Sequence, residues 1–274
     1  MLHAEGEKEL EHANTILLTT FGVALGSMLV LWFVSLALKN ASIVDIFWGA
    51  GFSLIAVVTF ALSDGYRPRK LLIITLSLVW GLRLAGYIAW RNHGKGEDFR
   101  YQAMRKRFGN RFPLISLFTV FALQGVLMWT ISLPLQFAQF SREPGHLTWL
   151  DYLGVTLWLI GLSFEAIGDL QLARFKADPS NKGKVMDRGL WGYTRHPNYF
   201  GDALLWWGFF LIALSNPQDW WTIVSPVIMT TLLMKISGVA LLEKTLVKTR
   251  PEYRDYVKRT SAFFPMPPRN AESK

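Results

Sequence analysis

Cysteine is absent from all 274 residues, which removes disulfides, thiolate nucleophiles and cysteine-ligated metal sites together. Charge is scarce. Asp, Glu, Lys and Arg make up 18% of the chain against 51% hydrophobic residues, a balance that excludes an ordinary soluble globule. The five histidines (His3, His12, His93, His146 and His196) show no ligand spacing, so no metal site is expected. No Gly-x-Gly-x-x-Gly run occurs, and the GAGF at Gly49 does not extend to one; a dinucleotide would have to be held without a Rossmann fold. Internal repeats and low-complexity tracts are also missing, which points to one integral domain. A basic leader with a short apolar core is lacking too. Residues 1–14, MLHAEGEKELEHAN, are acidic and precede a long apolar run, so the first span is expected to be retained.

What the chain has instead is apolar runs of roughly 20 residues, the length of helix that crosses a hydrocarbon core. They fall near 15–38, 43–62, 70–90, 114–134, 147–168, 199–215 and 220–242. The sixth is short and Pro226 interrupts the seventh, leaving open six full spans with a broken or re-entrant piece. The expected fold is all-α: a polytopic integral membrane helical bundle of six to seven transmembrane helices. With the N-terminus outside and the C-terminus cytoplasmic, the inner segments (39–42, 91–113, 170–198, 244–274) carry 22 Lys and Arg. The outer segments (1–14, 63–70, 135–146, 216–219) carry 5. This is the positive-inside bias, and it accounts for the formal charge of +9 without a nucleic-acid partner. The expected organisation is an acidic tail at 1–14, a membrane domain at 15–265 and a short tail at 266–274. Within the domain, 15–140 would face substrate and 147–265 would hold a cofactor. The setting is a bacterial inner membrane, or the endoplasmic reticulum in a eukaryote.

Ionisable residues inside spans cost on the order of 3 kcal/mol each on insertion scales, so each requires a reason. Asp45 near the start of the second span either caps a helix in the headgroup region or faces a polar cavity; Arg83, with Tyr87 a turn later, either snorkels to the inner surface or faces the same cavity. Gln124, beside Gly125, reads as an interhelical hydrogen-bonding residue. Glu165 and Asp169 share a face of the fifth span, with Arg174 following; the stripe is either neutralised by Arg174 and Lys176 or lines a cytoplasm-facing pocket. The most concentrated polar segment is RGLWGYTRHPNYFGDALLWWG, 188–208. Pro197 suits the first turn of a helix, and Arg195, His196, Asn198 and Tyr199 then cluster at its N-terminus, where free N–H groups and the helix dipole favour a phosphate-bearing ligand. Asp202 follows in that turn. Near the C-terminus, Glu243 closes the seventh span, and Tyr253 and Tyr256 stand among Arg250, Arg254, Lys258 and Arg259. That segment is either a basic surface helix or a cover over a cofactor pocket.

The segment GLWGYTRHPNYFGDALLWWG resembles the C-terminal domain of the steroid 5-alpha-reductase and sterol-reductase superfamily. With SIVDIFWG, WGLRL, EDFRYQAMR and LLEKTLVKTRPEYRDY, nearly the whole chain from Ser42 to Pro265 resembles the DUF1295 branch. The resemblance implies NADPH-dependent reduction of a carbon–carbon double bond in a hydrophobic lipid or steroid-like substrate. It implies that Arg195, His196, Asn198, Tyr199 and Asp202 contact the cofactor, with Asp169, Arg174 and Tyr253 or Tyr256 as further counterparts and Glu165 and Glu243 beside them. The glutamate and tyrosine that polarise a steroid carbonyl in 5-alpha-reductases have no local motif here, and Asp45, Tyr87 and Arg83 are only positional stand-ins. Asn198 in the Arg-His-Pro-Asn-Tyr turn is similar to the reductases. The acid at Glu243 is similar to the superfamily's methyltransferases, which use S-adenosylmethionine on lipid or prenylated substrates; that alternative stays open, as does a non-catalytic lipid-binding protein.

Overall fold

The computed structural model describes residues 2–236, 243 and 252–269. The end of the seventh apolar run (237–242), Lys244–Pro251 and the last residues of the tail lie outside the described residues. Every regular element among the described residues is helical, and an isolated parallel bridge joins Thr194 to Ser261. Helix α1 covers Leu2–Leu38, α2 Ile43–Leu62, α3 Arg67–Asn92, α4 Phe99–Phe108, α5 Phe112–Ser116, α6 Leu123–Ile131 and α7 Leu133–Phe137. Then come α8 at Trp149–Ala177, α9 at Leu190–Tyr193, α10 at Pro197–Ala213, α11 at Val224–Thr231 and α12 at Glu252–Arg259.

Among the described residues five segments are long and apolar enough to cross a membrane: Leu10–Leu38, Ile43–Leu62, Arg67–Asn92, Phe99–Ile131 and Trp149–Ala177. The protein is therefore an all-helical membrane protein. The acidic stretch expected as a tail at 1–14 is continuous with the first helix. The fourth span begins earlier than its apolar run, because Asp98 caps α4 by accepting the Arg100 N–H at 2.9 Å; within this span a wider-turned π segment at Leu117–Ala122 joins α5 to α6. The sixth run forms a 17-residue helix that opens at Pro197, as the fixed φ of proline favours. The seventh run is built from short pieces as far as it is described: a 3-10 turn at Pro217–Ile223, α11, and a π segment at Leu232–Ile236.

The chain divides into two compact units, one of residues 1–148 with 213–222, the other of 149–212 with 223–274. In the first unit α2 packs on α3 through small residues. A Cβ on Gly49 would meet the Gly81 carbonyl oxygen, and the Ser53 hydroxyl donates across the helices to the Ser77 carbonyl at 2.9 Å. Deeper in this unit Thr20 donates to Gln136 at 2.7 Å and Gln136 to Ser132 at 2.9 Å, so the buried amide is satisfied inside the bundle. In the second unit α8 and α10 approach closely along glycines. Substituting a Cβ at Gly154 would place it 2.6 Å from the Gly208 carbonyl oxygen, and at Gly161 2.6 Å from that of Gly201. Backbones so close leave no room for water between the helices, and polar side chains along this seam must find partners on the facing helix.

Candidate functional site

The α8–α10 seam of the second unit carries the Arg-His-Pro-Asn-Tyr turn. Glu165 and Asp169 on α8 are both buried. Asn198, in the first turn of α10, donates to Asp169 at 3.1 Å while its own carbonyl oxygen accepts the Tyr199 N–H at 3.1 Å. The two residues that the sequence places on separate elements thus form one part-buried hydrogen-bonded pair. Arg174, further along α8, is exposed. Asp202 is buried on α10. The ring of His196 stacks parallel on Tyr199 with centroids 5.5 Å apart.

Arg195 is the hub. Its Nε donates to Glu243 Oε1 at 2.7 Å and its Nη2 to Oε2 at 3.0 Å, a bidentate pair, and Nη1 donates to the carbonyls of Val257 and Thr260. His196 Nε2 lies 3.2 Å from the same Glu243 oxygen. Every nitrogen of the guanidinium therefore already has an acceptor, so Arg195 acts less as an open phosphate ligand than as a clasp between the turn and the C-terminal segment. Burial alone would raise the Glu243 carboxyl, but the bonds from His196 and Arg195 more than offset it and hold it down to about 2. Tyr253 is pushed up to about 12, first by burial and then by the Glu243 charge. Tyr256 is raised above the usual phenol range, chiefly by burial, and its hydroxyl donates to the Trp191 carbonyl at 2.5 Å.

Backbone contacts complete the clasp. The Arg195 N–H donates to the Ser261 carbonyl at 2.9 Å, the Thr194 hydroxyl to the Phe263 carbonyl at 2.8 Å, and the Met266 N–H to the Tyr193 carbonyl at 2.9 Å. Trp191 Nε1 donates to the Gly168 carbonyl at 3.0 Å, tying the loop back to α8. Between the turn and α12 lies a cleft of about 320 Å³ whose wall includes Arg195, Lys258, Arg259 and Arg269. Arg259 also pairs with Asp187.

The first unit holds its own polar cluster around Asp45. Arg100 Nη2 donates to Asp45 Oδ2 at 2.7 Å, and the Tyr101 hydroxyl donates to Oδ1 at 2.8 Å and is hydrogen-bonded by Gln124. Arg100 Nε also donates to Asp98 at 2.9 Å, and the Ser42 hydroxyl accepts the Asp98 N–H. Beside them, Arg105 chelates Glu97, whose Oε1 also accepts the Ala41 N–H. Burial would raise Glu97, yet these bonds lower it below the usual range. The partners that hold Asp45 are thus Arg100 and Tyr101, residues that the basic 91–113 segment concealed as ordinary inner-loop charge. Arg83 lies over the Tyr87 ring at 5.5 Å, both half-buried on α3. Among the described residues no group of three or more His, Asp or Glu is arranged to hold a metal ion.

The model of the family described as Protein of unknown function (DUF1295) matches residues 31–260. The chain belongs to the DUF1295 family. Its relatives include the Uncharacterized protein C594.04c of Schizosaccharomyces pombe, 26% identical over 263 residues, covering 86% of this chain and 76% of that protein. The Cobalt-zinc-cadmium resistance protein CzcN of Cupriavidus metallidurans is 27% identical over 125 residues, 46% of this chain and 54% of CzcN. No solved structure matches. The DUF1295 match covers both polar clusters, from Asp45 and Arg100 to Arg195 and Tyr256.

Proposed function

We propose that this DUF1295 protein is a membrane-embedded, NADPH-dependent reductase of a carbon–carbon double bond in a hydrophobic lipid or steroid-like substrate. The observation that carries the reading is the basic cleft of the second unit. Lys258, Arg259 and Arg269 line it together with Arg195, and Asn198 of the same Arg-His-Pro-Asn-Tyr turn donates to the buried Asp169 of α8. A ligand bearing several phosphates fits such a wall, because Lys and Arg make charge-assisted hydrogen bonds to phosphate oxygens. NADPH supplies a hydride when bound. The residues supply the rest: the cleft cations hold phosphate, and the Arg195–Glu243 clasp keeps the C-terminal segment on the turn. The site would lie on the cytoplasmic face of six or seven spans, in a bacterial inner membrane or the endoplasmic reticulum.

A second reading rests on a specific observation. Glu243 is drawn onto Arg195 and His196, leaving the three groups close to neutral together, which suits the zwitterionic amino-acid end of S-adenosylmethionine and a methyl transfer from its sulfonium to a lipid. Thermal midpoints of the detergent-purified protein with NADPH, NADH or S-adenosylmethionine separate the two. A ligand at a hundredfold excess over its dissociation constant stabilises by about 2.7 kcal/mol. NADPH should raise the midpoint, and Lys258→Ala with Arg269→Ala should lose that response while keeping the unliganded midpoint, since neither side chain anchors the clasp. A rise with S-adenosylmethionine and none with NADPH sinks the reductase reading.

A further inference from the structure

The 91–113 segment of the first unit carries seven Lys and Arg, and the structure divides them into two groups. Three are matched by acids. Arg100 bonds Asp45 and Asp98, Arg105 chelates Glu97, and the Arg91 charge acts on both Asp45 and Asp98. The other four, Lys95, Lys106, Arg107 and Arg111, are exposed and pair with no acid among the described residues. With three acids set against three cations, four positive charges stand uncompensated at this end of the unit.

The fourth span sets where they lie. Its apolar part, 112–131, is roughly 20 residues and already crosses a hydrocarbon core, so α4 is left at the level of the headgroups. Gly109, at φ 51°, turns the chain between the two, a conformation glycine adopts without strain. One face of α4 is held to Asp45 by Arg100 and Tyr101, while Phe99, Ala103 and Lys106, spaced i, i+4 and i+7, share the exposed face. Beyond the turn Arg111, Leu114 and Phe118, spaced i, i+3 and i+7, are also exposed, so a cation leads directly into two apolar residues of the span. Trp90, at the end of α3 and 65% exposed, is of the type that settles at a membrane–water interface, and Phe99 is 64% exposed beside the cations of α4. A soluble acidic partner would meet the charges and leave these apolar groups in water. A lipid meets both.

We infer that α4 and the 106–111 stretch form a docking surface for an anionic phospholipid, its phosphate receiving N–H donors from Lys106, Arg107 and Arg111 and its chains lying along Leu114 and Phe118. The chain has no cysteine, so Ala103→Cys on the exposed face of α4 provides a sole thiol for an environment-sensitive fluorophore. The labelled full chain in uncharged detergent is titrated with dioctanoyl phosphatidylglycerol, dioctanoyl phosphatidylcholine and inorganic phosphate. Phosphatidylglycerol should bind about tenfold or more tighter than phosphatidylcholine, the preference should shrink as salt is raised, and inorganic phosphate should not displace the lipid. Replacing the cations together, Lys106→Gln with Arg107→Gln and Arg111→Gln, should abolish the preference. Lys182→Gln with Arg188→Gln and Arg254→Gln, three exposed cations of the second unit, should leave it intact. Equal binding of the two lipids, displacement by inorganic phosphate, a preference that survives the first triple variant, or an equal loss in the second each overturns the inference. Should the first variant fail to fold, as its thermal midpoint shows, the lipid comparison and the salt series on the labelled parent remain decisive.

Discussion

At the scale of single residues, half-buried Glu243 and buried Asp219 are opposite cases of an acid withdrawn from water. Glu243 is bonded by Arg195 and His196 and held at about 2, below its ordinary 4.5, so its ionised form stabilises the folded state. That contribution is complete above pH 4.5 and is lost as pH falls toward 2. Glu243→Gln should therefore lower the thermal midpoint at pH 7 and remove part of the acid sensitivity, measured by melting the two proteins between pH 7 and pH 3. Asp219 has its carboxyl raised to about 7, mainly by burial, with Asn216 and Arg69 opposing only in part. Its protonated form is the better tolerated one: the stability it lends is complete below pH 3.8 and is lost as pH rises through 7. Asp219→Asn should be the more stable protein at pH 8 and should show a flatter profile between pH 4 and pH 8; a profile parallel to the parent's would contradict the burial argument. Of these features, the Arg195–Tyr199 cluster is legible in the sequence because its members are adjacent. The Glu243 clasp is not, because it spans 48 residues and side-chain pairing at that range leaves no periodic trace.

At the scale of elements, the helices are legible and their seams are not. The apolar run at 43–62 reproduces α2 residue for residue, because a helix crossing a bilayer must stay apolar throughout its length and changes composition sharply at both ends. Phe99–Phe108 is the counter-example: polar and basic, it reads as loop, and it is helical because the Asp98 cap and the Asp45 and Glu97 pairs hold it. What positions the second unit's site is a small-residue seam. Gly154, Gly161 and Gly168 recur every seven residues on α8, and Gly201 and Gly208 repeat the spacing on α10. A seven-residue repeat keeps one stripe of each helix facing the other, so the glycines let the backbones meet and bring Asp169 within reach of Asn198. That spacing was the available signal for the seam. Gly161→Val should break the approach, since its Cβ would lie 2.6 Å from the Gly201 carbonyl oxygen and 2.7 Å from the Leu205 nitrogen. Overpacking of this kind costs about 1–3 kcal/mol or more, and here the obstructing atoms are backbone. The expected result is a broadened elution profile and a lowered midpoint, with Gly86→Val on α3, where a Cβ meets open space, behaving like the parent.

At the scale of the whole molecule, the charge bias and the contacts within each unit agree on which segments share an end. His12, Asp64, Glu143 and Asp219, one from each segment that the bias assigns to the outer side, line a single cavity of the first unit. At the other end of that unit, residues of the 39–42 and 91–113 segments bond each other, as in the Ala41–Glu97 and Ser42–Asp98 contacts. In the second unit the 170–198 segment is bridged to 252–269 by Thr194–Phe263 and Arg195–Ser261. A helical membrane protein alternates sides with each crossing, so segments that meet in one unit share a side, and the positive-inside rule predicts that the side rich in Lys and Arg is the cytoplasmic one. The absence of cysteine makes the assignment directly measurable, because any cysteine introduced is the sole thiol. Asp64→Cys and Ser180→Cys both replace exposed residues, one in an outer and one in an inner segment. A membrane-impermeant maleimide applied to intact cells should label the first at once and the second only after permeabilisation. Labelling of both from outside would place an even number of crossings between residues 64 and 180, in place of the three formed by Arg67–Asn92, Phe99–Ile131 and Trp149–Ala177, and would move the basic cleft to the face where no cytoplasmic phosphate-bearing ligand could reach it.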